Sequence, residues 1–257
     1  MAVSGESAQS FENWTQVFAI WLDDKDKNPW QKYQKVLFDF KQKLREKPHN
    51  LTPIFSVENG SLLETDADRV YELKQDGIKL LTLTWNGENN IAGGCQSDKN
   101  LTAFGKKVID KMNKLKIGCD LSHLNKNSFY SAIEIAEFPL CTHSNCWDIC
   151  SHPRNLATEQ IKLVAQKDGI VGLCFYPLFL GGNVFEKIYE NIFFLCDMGL
   201  ENHIAIGSDF DGATMDEMLC KPQHVPVLAK FLEKKGLKSD LLHKIFYKNA
   251  YNYIAKL

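Results

Sequence analysis

Four polar residues stand at the ends of short apolar runs, where their side chains could perform chemistry together. Glu58, His123, His143 and Asp209 each close or directly follow such a run. Two imidazoles and a carboxylate that leave one coordination position open are the ligand set of a catalytic zinc ion. Each residue alone has a simpler explanation, because strand-end residues of these types often cap a helix or shape a turn. Four of them at corresponding places favour a metal site.

A candidate anion-binding residue, Arg154, follows the run that ends in His143 and precedes a predicted helix. A guanidinium at this place could hold a substrate carboxylate through two parallel hydrogen bonds. A salt bridge to a neighbouring loop explains the residue equally well. The sequence leaves both interpretations open.

The cysteines form a second, weaker metal pattern. Cys141, Cys146 and Cys150 follow the spacing C-x4-C-x3-C, which is not that of a zinc finger. We expect these thiols to be reduced, half-buried and packed like small apolar side chains.

The elements that must position these residues are strands and helices in alternation. Strands separated by single helices require parallel βαβ crossovers and predict an α/β fold. In a (β/α) barrel the carboxyl ends of all strands open onto one face, where the polar residues would meet. The predicted strands are Gln16–Leu22, Thr52–Val57, Ile78–Thr84, Gly118–Ser122, Pro139–Thr142, Ile170–Tyr176 and Ile204–Ser208. The predicted helices are Gln31–Glu46, Thr65–Gln75, Ala103–Leu115, Asn127–Ala136, Thr158–Lys167, Val184–Met198, Val225–Lys235 and Lys238–Ala255.

A closed barrel needs eight such units, whereas this chain shows seven. No linker or low-complexity tract divides the 257 residues. Either one strand is overlooked, or the sheet is open, or one unit is absent. We expect residues 1–257 to form one domain.

Composition narrows the class of partner and the compartment. With 30 Lys+Arg against 32 Asp+Glu, the net charge of −2 argues against a nucleic-acid binder. We find no signal peptide in Met1–Trp14 and no apolar run long enough to span a membrane. Eight cysteines in a chain of this length suit a reducing compartment. We expect a cytoplasmic protein without a nucleic-acid or membrane partner.

Several segments, in order and spacing, resemble the membrane dipeptidase (renal dipeptidase) family of zinc peptidases, which are (β/α)8 barrels. The resemblance runs from about Gln16 to the C-terminus. Its most specific parts are Glu58-Asn59-Gly60, Leu81-Thr82-Leu83-Thr84, Asp120-Leu121-Ser122-His123, Thr142-His143-Ser144, Pro153-Arg154-Asn155 and Gly207-Ser208-Asp209-Phe210-Asp211-Gly212.

The resemblance implies a role for each candidate residue. Glu58 matches the carboxylate that bridges two zinc ions, and His123 and His143 match the ligands of the second zinc. Arg154 matches the residue that holds the substrate carboxylate. Asp209 matches the acidic residue near the substrate amino group that takes part in proton transfer. The implied reaction is hydrolysis of a dipeptide by a zinc-bound hydroxide, and relatives that form dimers make a homodimer the assembly to test.

One departure from the family pattern concerns the first zinc. Family members ligate it with a His-x-Asp pair at the end of the first strand, but no His-x-Asp occurs in this chain. The missing pair and the missing eighth unit are the same absence, so the resemblance implies a (β/α)8 TIM-type barrel that lacks its first βα unit and has about seven parallel strands. We expect at most one tightly bound zinc and slow or absent dipeptide hydrolysis. Asp23 and Asp24, after the first predicted strand, are the residues that could rebuild the lost site.

A second departure is Trp85, which stands where the animal members have a histidine that stabilises the oxyanion. Its indole N–H can donate one hydrogen bond, or the ring can wall the substrate pocket. We expect Trp85 to contact substrate.

Two other functions compete with a zinc dipeptidase. The absent His-x-Asp pair favours a non-catalytic remnant that binds one metal ion, a peptide or a partner chain. Another metal-dependent barrel hydrolase, acting on cyclic amides or phosphate esters, would not need the carboxylate-binding residue Arg154.

Overall fold

The computed structural model describes residues 12–46 and 48–257. The first eleven residues, which make up most of the segment searched for a signal peptide, lie outside the described part. The chain forms two compact units that divide between Pro139 and Leu140, here called the N-terminal and C-terminal units. Whether residues 1–257 act as one domain stays a prediction.

The N-terminal unit contains a parallel sheet with helices between its strands. The strands β1 (Trp14–Trp21), β2 (Leu51–Glu58), β3 (Ile78–Thr82) and β4 (Gly118–Asp120) pair in that order, and the short β5 (Pro139–Leu140) follows at the division. The helices are α1 (Pro29–Lys43), α2 (Arg69–Gln75), α3 (Ala103–Leu115) and α4 (Lys126–Ile135), with 3-10 turns at Leu44–Glu46 and Gly60–Leu63.

Local sequence explains why these elements begin and end where they do. The hydroxyl of Thr102 accepts a hydrogen bond from the Gly105 amide at 2.9 Å and caps α3. Val108, Ile109 and Met112 recur at helical spacing on this helix and are fully buried. Lys116 ends it in the left-handed conformation, with φ of 51°.

The C-terminal unit contains a second parallel pair, β6 (Val171–Leu173) and β7 (Ile204–Ile206), and Cys141 forms a parallel bridge with Val171. Its helices are α5 (Thr158–Gln166), α6 (Pro177–Leu180), α7 (Val184–Asp197), α8 (Val225–Lys234), α9 (Ser239–His243) and α10 (Asn249–Ile254), with 3-10 turns at Glu217–Leu219 and Pro222–His224. A π-helical turn, Lys244–Lys248, joins α9 to α10.

The predicted α/β fold is confirmed, and all seven predicted strands are present. The later strands are shorter than predicted because the chain leaves the sheet early and side chains bind its backbone. The Ser122 amide donates to Asp120 Oδ1 at 3.1 Å, and the Cys174 amide donates to Asn145 Oδ1 at 3.0 Å. No helix among the described residues is long and apolar enough to cross a membrane.

The single helix predicted over Lys238–Ala255 is wrong in one respect, since the π-helical turn interrupts it. The wider turn brings Asn249 over the carbonyls of Glu201 and Ile204, to which its Nδ2 donates at 2.9 and 2.7 Å. These two hydrogen bonds satisfy a buried amide that a regular helix would place elsewhere.

Candidate functional site

Glu58 and His123 come together at the carboxyl ends of their strands in the N-terminal unit. Glu58 is the last residue of β2, and His123 lies three residues beyond β4. Their side chains are only 15% and 7% exposed, and Glu58 Oε1 lies 3.0 Å from His123 Nε2. His123 has a φ of 72°, an unusual conformation for a residue other than glycine. The two predicted metal ligands of this unit are therefore adjacent.

The other ring nitrogen of His123 faces an amide oxygen. Asn86 Oδ1 lies 2.9 Å from His123 Nδ1. Because this oxygen can only accept, the hydrogen bond places a proton on Nδ1, and Nε2 faces the Glu58 carboxylate. Two electron-rich atoms at 3.0 Å repel each other unless a proton or a metal ion lies between them. The pair therefore has the donor chemistry of a cation site.

Trp85 lies beside this pair. Its ring centre is 6.5 Å from that of His123, and Trp21 packs against it edge-on with ring centres 5.2 Å apart. Trp21 is also the register partner of Glu58 across β1 and β2. The two indoles thus form an aromatic wall next to Glu58 and His123, and contact between Trp85 and a substrate stays a prediction.

The acidic residues after β1 have other partners. Asp24 Oδ1 accepts from Asn59 Nδ2, and Asp24 Oδ2 accepts from the Gly87 amide, both at 2.8 Å. Asp23 Oδ1 accepts from the Lys25 amide at 2.8 Å. The two oxygens of Asp24 hold loops together, which makes this residue a poor substitute for a missing metal ligand.

In the C-terminal unit the structure brings Arg154 to His143. His143 is 7% exposed, and its Nδ1 lies 2.7 Å from the Thr142 hydroxyl. Arg154 Nη2 donates to the His143 carbonyl at 3.2 Å, and its guanidinium lies 5.4 Å from the Phe179 ring centre. Arg154 is 6% exposed, forms no ion pair with any described residue, and its buried Nε has no hydrogen-bond partner among them. A buried cation without a counter-charge suits the capture of an anion.

Asp209 follows β7 in the same unit. It adopts a left-handed φ of 61°, and the buried Cys174 thiol donates to its Oδ2 at 3.9 Å. A thiol is a weak hydrogen-bond donor, so this contact is a weak one.

His152 lies beside Arg154 and has a lowered pKa. Desolvation by burial is the main cause, and the positive charge of Arg154 adds to it. His152 Nδ1 accepts a hydrogen bond from the Arg154 amide at 3.2 Å, and its ring packs on Phe179 with centres 4.6 Å apart. This histidine therefore helps to hold the loop that carries Arg154.

The three cysteines of the C-x4-C-x3-C pattern are packed against the protein to different degrees. Cys141 and Cys146 are buried, and Cys150 is half-buried. Burial raises the pKa of the Cys146 thiol to about 12, so it stays protonated. The expected burial is thus observed, whereas the reduced state of these thiols stays a prediction.

Two residues that contact candidate side chains were missed at the level of the sequence, Asn86 in the N-terminal unit and Cys174 in the C-terminal unit. Asn86 reaches His123 across 37 positions, and Cys174 reaches Asp209 across 35. Asn86 directly follows Trp85, but nothing in the local pattern indicates its distant partner.

Comparison with known proteins gives one family. The family model "Membrane dipeptidase (Peptidase family M19)" matches residues 32–256. A Klebsiella pneumoniae protein named for the 5′ region of pqqA is 31% identical over 189 residues, which cover 67% of this chain and 70% of that protein. An uncharacterized dipeptidase of Schizosaccharomyces pombe is 27% identical over 227 residues, covering 84% of this chain and 54% of its own length. This chain thus spans about half the length of the yeast relative.

Solved structures share the fold. Dipeptidase AC, a metallopeptidase of family M19, superposes with a TM-score of 0.85 at 21% identity, over 98% of this chain and 88% of that one. A metallopeptidase from Rhodobacter sphaeroides, liganded with a phosphinate mimic of the dipeptide L-Ala-D-Ala, gives 0.77 at 23% identity, over 94% and 68%.

Proposed function

Because the chain belongs to the membrane dipeptidase family, peptidase family M19, we propose that it hydrolyses dipeptides with the help of a divalent metal ion. The observation that carries the proposal is the close approach of Glu58 Oε1 to His123 Nε2, at 3.0 Å, with Nδ1 of that ring held by an amide oxygen. This arrangement places an imidazole nitrogen and a carboxylate oxygen close enough to share one metal ion.

Glu58, His123 and His143 are the proposed ligands. They are of the residue types that could together hold an ion. One carboxylate and two imidazoles, with a position left for water or substrate, are the set that zinc uses in hydrolases, so zinc is the metal we propose. When bound, such an ion lowers the pKa of water and polarises a carbonyl.

Arg154 is the proposed binding group for the free carboxylate of the substrate. A planar guanidinium whose Nε has no hydrogen-bond partner among the described residues can donate two parallel hydrogen bonds to a carboxylate. This group would select peptides that present a terminal carboxylate beside the scissile bond, and hence dipeptides over proteins.

Asp209 is the proposed acid–base residue, and Trp85 is the proposed wall of the substrate pocket. A carboxylate at this strand end could take a proton from the attacking water or hold a substrate ammonium group. The indole of Trp85, backed by Trp21, would pack against a substrate side chain.

The 257 residues by themselves are proposed to bind one equivalent of zinc and to turn over dipeptides slowly. The sequence holds no His-x-Asp pair, and both oxygens of Asp24 already accept hydrogen bonds within the N-terminal unit. A single carboxylate, Glu58, would remain for a second ion and cannot fix it alone. The cytoplasm remains the compartment that we propose from the cysteine content.

The test is zinc stoichiometry by elemental analysis after dialysis against dilute zinc, together with hydrolysis of L-Ala-L-Ala. We expect one equivalent that disappears in His123→Ala and persists in His243→Ala, whose histidine is exposed. Two equivalents of zinc together with rapid hydrolysis of L-Ala-L-Ala would contradict the proposal that these 257 residues turn over dipeptides slowly. Absence of zinc from the unsubstituted chain would contradict the metal site itself.

A further inference from the structure

Asn86 is placed to fix both the rotation and the tautomer of the His123 ring. Its Oδ1 lies 2.9 Å from His123 Nδ1 and only accepts hydrogen bonds. A ring held at Nδ1 by an acceptor carries a proton on that nitrogen, and its Nε2 points in one direction, toward Glu58. Loss of the acceptor would free the ring to rotate and would allow the proton to move to Nε2.

The orientation of the Asn86 amide is itself determined. The Cys95 thiol donates to the same Oδ1 at 3.4 Å, which places the oxygen, and not the NH₂ group, between the thiol and the imidazole. A thiol and a protonated ring nitrogen are both donors, so an NH₂ group there would face two donors.

The loop that carries Asn86 is rigid. The Asn86 carbonyl accepts from the Gln96 amide at 2.8 Å, and the Gly94 amide donates to the Gly87 carbonyl. A Cβ on Gly94 would come within 2.0 Å of the Trp85 carbonyl, so only glycine permits this close closure.

Side-chain hydrogen bonds connect the same loop to Asp24 and Asn59, which follow the strands β1 and β2. Asp24 accepts from the Gly87 amide and from Asn59, and Asn89 Nδ2 donates to Asn59 Oδ1 at 3.0 Å. The Asn86 side chain therefore extends to His123 from a backbone held by hydrogen bonds. Little conformational entropy is lost in keeping its hydrogen bond when the protein binds a ligand.

His123 needs such support because its backbone is strained. Its φ of 72° lies in the left-handed region, which is unfavourable for an L-residue other than glycine. Strain of this kind persists where surrounding contacts determine the conformation, and the bond to Asn86 is such a contact.

We propose that Asn86 is a positioning residue that holds the metal-binding nitrogen of His123 toward Glu58. The proposal rests on the proposed function in that His123 is taken as a metal ligand. Hydrogen bonds of this kind to ligating histidines typically change metal affinity by about 10- to 100-fold.

The experiment compares three variants of the full chain. Asn86→Leu keeps the approximate size of the side chain but removes the acceptor, and Asn86→Asp keeps an acceptor oxygen. Asn90→Leu is the matched control, since Asn90 lies in the same loop and its amide donates to the Glu64 carbonyl instead. Zinc affinity is measured by competition with a chromophoric chelator, and the tautomer of His123 is read from long-range ¹H–¹⁵N NMR of the metal-free protein.

We expect Asn86→Leu to bind zinc about 10- to 100-fold more weakly, and Asn86→Asp and Asn90→Leu to stay within a few-fold of the unsubstituted chain. The NMR spectrum should show the proton on Nδ1 in the unsubstituted chain and in Asn86→Asp, and a mixture of tautomers in Asn86→Leu.

Unchanged zinc affinity and an unchanged tautomer in Asn86→Leu would overturn the proposal. So would an equal loss in Asn86→Leu and Asn86→Asp, because the effect would then come from packing and not from the acceptor. If Asn86→Leu does not fold, as judged by circular dichroism, the retained affinity and tautomer of Asn86→Asp still decide the matter. If the unsubstituted chain binds no zinc, the proposed function fails, whereas the tautomer measurement still tests the contact.

Discussion

Replacing Arg154 with methionine should make the protein more stable and its substrate binding weaker. The guanidinium is 6% exposed and has no carboxylate partner among the described residues. Its contacts are one hydrogen bond to the His143 carbonyl, at 3.2 Å, and the face of Phe179. A purely structural arginine would instead be expected to pair with an acidic side chain.

The magnitude follows from these contacts. Burial of an ion costs several kcal/mol, which is offset by a charged hydrogen bond of about 1.5–3 kcal/mol and a cation–π contact of about 0.5–2 kcal/mol. The buried Nε without a partner then adds about 1–3 kcal/mol of unfavourable energy. Methionine has a similar length and no charge, so Arg154→Met should raise the free energy of unfolding by about 1–3 kcal/mol.

The affinity for a dipeptide should fall in Arg154→Met, whereas the stability of the protein rises. Removal of one partner from a buried, hydrogen-bonded charge pair costs about 2–5 kcal/mol. The dissociation constant of a dipeptide for Arg154→Met should therefore rise by roughly 30-fold or more. Arg154→Lys keeps the charge but loses the planar fork, and should fall between the two proteins.

The assay combines urea unfolding with calorimetric titration of the zinc-loaded protein by L-Ala-L-Ala. The amide of this dipeptide, which lacks the carboxylate, is the control ligand and should bind both proteins equally weakly. Dipeptide at about 100 times its dissociation constant should stabilise the unsubstituted chain by about 2.7 kcal/mol. The reasoning is refuted if Arg154→Met is less stable than the unsubstituted chain, or if the dipeptide and its amide bind that chain alike.

Three further outcomes are expected. Burial, and to a smaller extent the positive charge of Arg154, lower the pKa of His152 below its usual value of 6.5. The unfolded chain therefore binds this proton more readily than the folded one, and the free energy of unfolding should fall as the pH drops through about 6.5. An NMR titration of His152 checks the pKa. Trp85→Ala should raise the KM for dipeptides by roughly 2- to 12-fold, the equivalent of an aromatic contact of about 0.5–1.5 kcal/mol, while the exposed Trp147→Ala leaves KM unchanged. Gly207→Ala should cost about 1–3 kcal/mol in urea unfolding, because its Cβ would lie 1.9 Å from the Thr142 carbonyl.

Local sequence was sufficient for the elements whose ends are determined locally. The helix Ala103–Leu115 was predicted with its observed bounds, since the Thr102 cap and the apolar spacing both lie within the segment. Glu58, His123, His143 and Asp209 were found because polar residues at the ends of apolar runs stand out in a parallel α/β chain. The position of a residue at a strand end is thus readable from one sequence.

Contacts between distant segments could not be read in this way. The pairing of Asn86 with His123 depends on where a loop closes over a strand end, and the turn at Lys244–Lys248 depends on carbonyls some 40 positions earlier. For Arg154 the sequence left a salt bridge and a substrate carboxylate equally open. The absence of an acidic partner among the described residues favours the second.

Left-handed backbone conformations occur both in loops that follow helices and in loops that follow strands. Lys116 and Asp168 adopt positive φ where helices α3 and α5 end, on the connections that lead into strands. Asn59, His123 and Asp209 adopt it just after strands. A glycine could take over the conformation at a helix end without loss of chemistry. At His123 and Asp209 a glycine would relieve the same strain but remove the imidazole and the carboxylate. Strained conformations cluster at active sites, so the positive φ of His123 and Asp209 agrees with the roles proposed for them.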